Sequence, residues 1–182
     1  PEPDLVFEVA ADLLLGARGA RRADDEAHAL RNFKFLGDGL QALAILRGNP
    51  NSGGFHFALT HVHDRRILSV EYGAGEVSVR EIAAPAVHAN HALHHGYGLG
   101  HQIVTRSSGD RQARGAALIA AGTTDPLTIL RDDGGPGLPI RRDAADDPDD
   151  ENTLATAILH VGKAGIDWSI HDGLADIPIE ER

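Results

Sequence analysis

The run VHANHALHHGYGLGH at 87–101 gathers His88, His91, His94, His95 and His101 around a single amide side chain, Asn90. Two chemistries are open to it. Imidazoles ligate metals, and a neutral amide donates hydrogen bonds to negative charge developing in a reaction. Upstream, His61-Val-His63 puts two imidazoles on one side of a strand, with Asp64 next. Metal-dependent hydrolases use a comparable His-x-His-x-Asp run, but here the aspartate comes one residue early and points to the opposite face. The histidines at 88–95 offer further nitrogen ligands, yet spacing selects no particular four of them, and a solvated hairpin turn is the simpler account of His61 and His63.

Asn90 ends an apolar stretch where a strand gives way to a loop. Its side chain is short, stiff and does not titrate, which suits an oxyanion donor, but asparagine also serves turn geometry. Ser108, Arg111 and Arg114 follow at three-residue spacing and share a helix face. The two guanidiniums can hold a substrate carboxylate, or pair with the acidic stretch at 143–151. Within that stretch, Asp146, Asp147, Asp149, Asp150 and Glu151 lack the glycine turn of a calcium loop and carry Pro148, so they read as a solvated, self-repelling segment.

The elements that must position these groups follow from periodicity. Leu5, Val6, Val9, Ala10, Leu13 and Leu14 recur at helical spacing, predicting a helix over 4–16 with Asp4 as cap and Gly16 as stop. ARGARRADDEAH is polar and reads as a loop or a weak helical start. A second helix runs from Asp38 to Gly48. The pattern then alternates: GFHFALTHV puts Phe55, Phe57 and Leu59 on one face and His56, Ala58 and Thr60 on the other. HDRR turns the chain, ILSVEY and EVSVREI are strands joined by GAG, and APAVHAN is a fourth, short strand. SSGDRQARGAALIAAG is a helix with Ser107 or Ser108 near its cap and Gly122 at its end, and TDPLTILRDD begins another with Pro126 in its first turn. A long loop rich in Gly, Pro and Asp leads to two last strands, TLATAILHV and IDWSIHDG, around the turn GKAG. Helices packed on antiparallel strands make an α+β fold.

Composition bounds the function. The chain has 182 residues, 42% of them apolar but only 4% aromatic, so one domain is expected with a core of Leu, Ile, Val and Ala. A net charge of −10 argues against nucleic acid or an anionic membrane as partner, since both require clustered cations. There is no cysteine, hence no disulfide and no thiolate metal site, and no methionine. No apolar run reaches membrane-spanning length and the N-terminus lacks the basic start of a secretory signal, so a cytoplasmic location is expected.

From GDGLQALAILRG through GGFHFAL, LSVEY and HANHAL, and on through SSGDRQAR to DPLTILRDD and IDWSIHDG, the order and spacing of segments over about 38–173 resemble the acyl-coenzyme A:aminopenicillanate (isopenicillin N) acyltransferase-like family of cysteine peptidases and amidases. The resemblance implies an N-terminal-nucleophile hydrolase, with antiparallel sheets stacked between helix layers. Residues 1–182 would be a single domain or the large-subunit portion of one, with helix 4–16 as an inner-layer element. It implies autoproteolysis that frees an N-terminal cysteine whose thiol attacks an amide or thioester carbonyl, its own α-amino group acting as base. On this resemblance Asn90 is the catalytic oxyanion residue. His91, Ser108 and Arg111 become candidates for binding the substrate, together with Arg114 on the same helix face. The substrate would be a small amide, a peptide or an acyl thioester, and neither a cofactor nor a metal is called for. The chain departs from the family pattern in having no cysteine and starting at Pro1. The nucleophile is therefore expected on a companion chain or a segment outside these residues, unless this is a relative without the chemistry. A metal-dependent hydrolase using the histidine-rich strands and loop, and a non-catalytic subunit on the same fold, are the competing expectations.

Overall fold

A computed structural model describes residues 5–7, 39–48, 53–61, 66–82, 85–143, 152–162, 164–172 and 178–181. The alternating segment folds as expected into a meander of β2 (Phe55–Thr60), β3 (Ile67–Gly73) and β4 (Glu76–Ile82), all antiparallel. Strands β3 and β4 are joined at Ala74 and Gly75, both in the left-handed region at φ 51° and 78°. Two such residues in a row make the primed turn whose twist matches a right-handed hairpin, and a glycine at the second position lowers its strain. HDRR falls outside the described residues except for Arg66.

Period-two alternation gives this sheet two unlike faces. Register pairs Phe57 with Val70 and Leu59 with Leu68 on one side, and Val70 with Val79 and Tyr72 with Val77 on the other. Those apolar residues close a core with Leu43 and Leu46 of helix α1 (Gly39–Gly48). The opposite face carries His56, Ser69, Glu71 and Ser78, with Glu71 directly across from both His56 and Ser78. Ser69 to Gly73 is nevertheless buried throughout, so the polar face is covered too.

The second sheet has the order β1-β5-β6-β7, also antiparallel, with β5 (Ala155–Val161) and β6 (Ile166–Asp172) as its centre. Its outer strands correct the sequence reading. Leu5–Phe7, expected inside a helix over 4–16, is strand β1, paired with Leu159 to Val161. A short Leu-Val-Phe run is as compatible with a strand as with one helical turn, and an available sheet edge decides the matter. Residues 8–38, including the rest of that expected helix and the ARGARRADDEAH segment, lie outside the described residues. Strand β7 (Pro178–Glu181) was not foreseen.

Between the sheets in sequence come α2 (Gly96–His101), α3 (Arg106–Ala120) and α4 (Pro126–Leu130). The cap of α3 is Thr105, whose hydroxyl accepts from the Ser108 amide, and Ser107 and Ser108, expected near the cap, lie in the first turn. Gly122 ends the helix as expected, its amide and that of Thr123 returning to the carbonyls of Ile119 and Leu118. Asp125 caps α4 and Pro126 opens it. The loop at 132–143 has no regular structure, and 144–151, with its acidic run, lies outside the described residues. The fold is α+β with antiparallel sheets. Among the described residues no helix is long and apolar enough to cross a membrane.

Candidate active site around Asn90

The segment at 85–90, expected as a strand, joins no sheet. A backbone outside any ladder must still satisfy its amides and carbonyls, and here side chains do the work of a neighbouring strand. Gln112 of α3 accepts from the Ala89 amide at 2.7 Å and donates to the Val87 carbonyl at 3.0 Å. Ser108 accepts from the Asn90 amide at 3.0 Å. Gln102 repeats the amide clasp on Ala92, at 2.6 and 2.9 Å.

This segment lies directly on α3 because Gly115 has no side chain. A Cβ there would sit 2.9 Å from Val87 Cγ1 and 3.2 Å from its Cβ. Gly115→Ala should therefore destabilise the fold by about 1 kcal/mol: the overpacking cost of about 1–3 kcal/mol exceeds the gain in helix propensity of about 1 kcal/mol. Val87→Ala in the same chain should restore stability. Thermal melts of the single and double variants check this, and a stabilised Gly115→Ala would contradict the close packing.

Past Asn90 the chain turns back over the polar face of the β2–β4 sheet and closes on Glu71. That carboxylate is 2% exposed. Its Oε1 accepts from the Leu93 amide at 2.5 Å and from His88 Nε2 at 2.7 Å, and its Oε2 accepts from the amides of His94 at 2.8 Å and His95 at 2.5 Å. Burial alone would raise its pKa, but the Leu93 amide, His88 and the His94 amide outweigh it and lower the pKa to about 2. Glu71 is thus an anion in the interior. His88 donates to it, and His88 Nδ1 lies 2.6 Å from the Ala89 carbonyl. Both ring nitrogens of His88 face acceptors, the Glu71 carboxylate and the Ala89 carbonyl.

His56 stacks on His88, with centroids 3.4 Å apart and planes within 5°. Burial, and then the charge on His88, push its pKa down to about 4. Burial also lowers His94. One set of neutral tautomers satisfies the chain that links them: His56 Nε2 donates to Ser69, Ser69 donates to His94 Nε2, His94 Nδ1 donates to Ser78, and Ser78 donates to the His94 carbonyl.

Asn90 itself is exposed. Arg111 donates to its Oδ1 at 2.8 Å. A guanidinium has no acceptor, so the amide oxygen must face it and the amide NH2 is the outward end. Next to it, His91 Nδ1 lies 2.7 Å from Ser108 Oγ. Ser108 accepts from the Asn90 amide and keeps a proton it can give to Nδ1, the tautomer that leaves His91 with N–H at Nε2. Burial lowers the His91 pKa, in keeping with a neutral ring.

Of the residues singled out from sequence, Asn90, His91, Ser108 and Arg111 come together. Arg114 faces elsewhere: it makes a two-pronged bond to Asp132, both contacts at 2.7 Å. Among the described residues its partner is thus Asp132, and the acidic run at 144–151 lies outside them. His61 is described, but His63 and Asp64 are not, and among the described residues no three His, Asp or Glu side chains are grouped to hold a metal ion. The histidines at 88, 94 and 95 are occupied with Glu71, Ser69, Ser78 and the Glu76 carbonyl. Sequence reasoning missed Glu71. The available signal was a carboxylate in the middle of the central strand, directly opposite His56.

No curated protein and no solved structure matches the chain. The family model for acyl-coenzyme A:6-aminopenicillanic acid acyl-transferase matches residues 40–173. That span runs from the start of α1 to the end of β6 and takes in Glu71, Asn90 and the whole of α3. The family's chemistry is acyl transfer, as acyltransferase or hydrolase. With well over half of its length matched, this chain belongs to the acyl-coenzyme A:6-aminopenicillanic acid acyl-transferase family.

Proposed function

We propose that this chain forms the oxyanion side of an amide hydrolase or acyltransferase of the N-terminal-nucleophile type. A cysteine nucleophile freed by autoproteolysis would come from outside these residues. The observation that carries the reading is Asn90, whose carbonyl oxygen is tied to Arg111 so that its NH2 group faces outward from a tightly clasped backbone. Family membership supplies the reaction class.

In the reaction, a thiolate adds to the carbonyl carbon of a small amide, peptide or acyl thioester. The carbonyl oxygen becomes negative as the tetrahedral intermediate forms, and Asn90 donates to it. Collapse expels the amine or thiol and leaves a thioester, which water or an acceptor amine then cleaves. Neutral His91, presenting N–H from Nε2, and the Arg111 guanidinium flank the donor and serve substrate binding. Arg114, held by Asp132, braces α3 against the loop that follows α4. The two antiparallel sheets would form the inner layers of the αββα sandwich.

Thiol chemistry tests this. In the complete gene product, alkylation of one cysteine should abolish turnover of amide and thioester substrates, and intact-mass analysis should find the label on a peptide that begins with that cysteine. Full turnover after complete alkylation would overturn the proposal.

A further inference from the structure

The loop that presents Asn90 is anchored on both sides by one side chain. Glu71 receives four donors, one from His88 before Asn90 and three from the backbone of residues 93–95 after it. His88 extends the hold to the Ala89 carbonyl, one peptide from Asn90. The other clasps are more local: Gln112 and Ser108 reach 87–91 from α3, and Gln102 reaches Ala92. The Glu71 carboxylate is nearly inaccessible, so it reaches no substrate. We propose that Glu71 is the positioning residue of the oxyanion site, fixing the Asn90 amide by drawing His88 and residues 93–95 onto one buried charge. This rests on the reading of Asn90 as the oxyanion donor.

The charge matters because every one of the four groups is a donor. A carboxylate accepts from all of them. The amide of Glu71→Gln keeps the shape, but its NH2 end faces two N–H groups and must push one arm of the loop away. Glu71→Gln should lower kcat about tenfold or more, with KM changed less than about threefold, because the lost contact is one made to the transition state. In an Asn90→Ala background the same substitution should have almost no further effect on kcat, the non-additivity of two residues acting as one unit.

A readout independent of turnover is the side-chain amide resonance of Asn90 in isotope-labelled protein, assigned by its loss in Asn90→Ala. It should shift in Glu71→Gln. If that variant fails to fold, His88→Phe keeps a ring against His56, removes one of the four donors and the link to Ala89, and should shift the same resonance. Equal kcat losses in the two backgrounds, or an unmoved Asn90 resonance in the variants that fold, would overturn the positioning role. Should Asn90→Ala keep its turnover, the oxyanion reading fails by itself, and the resonance alone then decides whether Glu71 sets the geometry of Asn90.

Discussion

Asn90→Ala is expected to lower kcat by about two to three orders of magnitude, the usual cost of removing one oxyanion donor, while the melting temperature hardly moves. The second half of the expectation follows from exposure. The Asn90 side chain is exposed, and it accepts from Arg111 at the surface. The backbone amide that Ser108 accepts from is untouched by the substitution. A side chain that contributes little to the folded state but much to turnover is what a transition-state donor requires, since only interactions gained on the way to the transition state speed the reaction.

Asn90→Asp separates this account from a role in substrate binding or turn geometry. A carboxylate at 90 keeps the backbone preference and strengthens the contact with Arg111, but it offers no N–H and sets a negative charge beside the developing oxyanion. It should be at least as inactive as Asn90→Ala and no less stable. An Asn90→Asp variant with near-normal kcat would show that the amide donates to nothing in the reaction.

The place of Asn90 at the end of an extended segment, beside Ser108 and Arg111, was legible from the order of segments in the sequence. Glu71 was not legible. In an alternating strand a glutamate beside Ser69 reads as the solvent side, and that reading holds until another segment covers the face. The covering segment is 88–95, distant in sequence from β3, and nothing local announces that it folds back. The histidines misled for a related reason. Their density suggested ligands, whereas His56, His88 and His94 are occupied in covering a polar sheet face with hydrogen bonds and a ring stack. The fourth strand failed at the level of partners: the extended backbone at 85–90 was anticipated, but its hydrogen bonds go to Gln112 and Ser108 instead of a ladder.

The same polar interior should make the protein lose stability steeply in mild acid, in two separable steps. His56, His91 and His94 all have folded-state pKa values below the ordinary 6.5, with His56 at about 4. Between pH 6.5 and those values the unfolded chain binds protons that the folded chain refuses, so stability falls as the pH falls. Each histidine contributes a slope of about 1.4 kcal/mol per pH unit while it is protonated only in the unfolded state. Glu71 acts lower down. Its folded pKa of about 2 lies beneath the ordinary 4.5, so its contribution is full above pH 4.5 and is lost as the pH falls towards 2. Asp125, bonded by Thr128, and Asp132, bonded by Arg114, are also lowered, and they add to the same lower window because their ordinary value is 3.8.

The upper window, from pH 6.5 down to about 4.5, therefore isolates the histidines among these groups. His56→Phe keeps an aromatic ring against His88 but cannot take up a proton. It should be somewhat less stable at neutral pH, through loss of the bond to Ser69, and its stability should fall less steeply with acid across that window, by about 1.4 kcal/mol per pH unit. Denaturant titrations at several pH values measure both quantities. Parallel slopes for the two proteins would mean that His56 takes up its proton as readily folded as unfolded, and the neutral stack on His88 would then be wrong. A shallower slope in the variant would instead show that the folded protein refuses a proton at His56, the ring that stacks on His88.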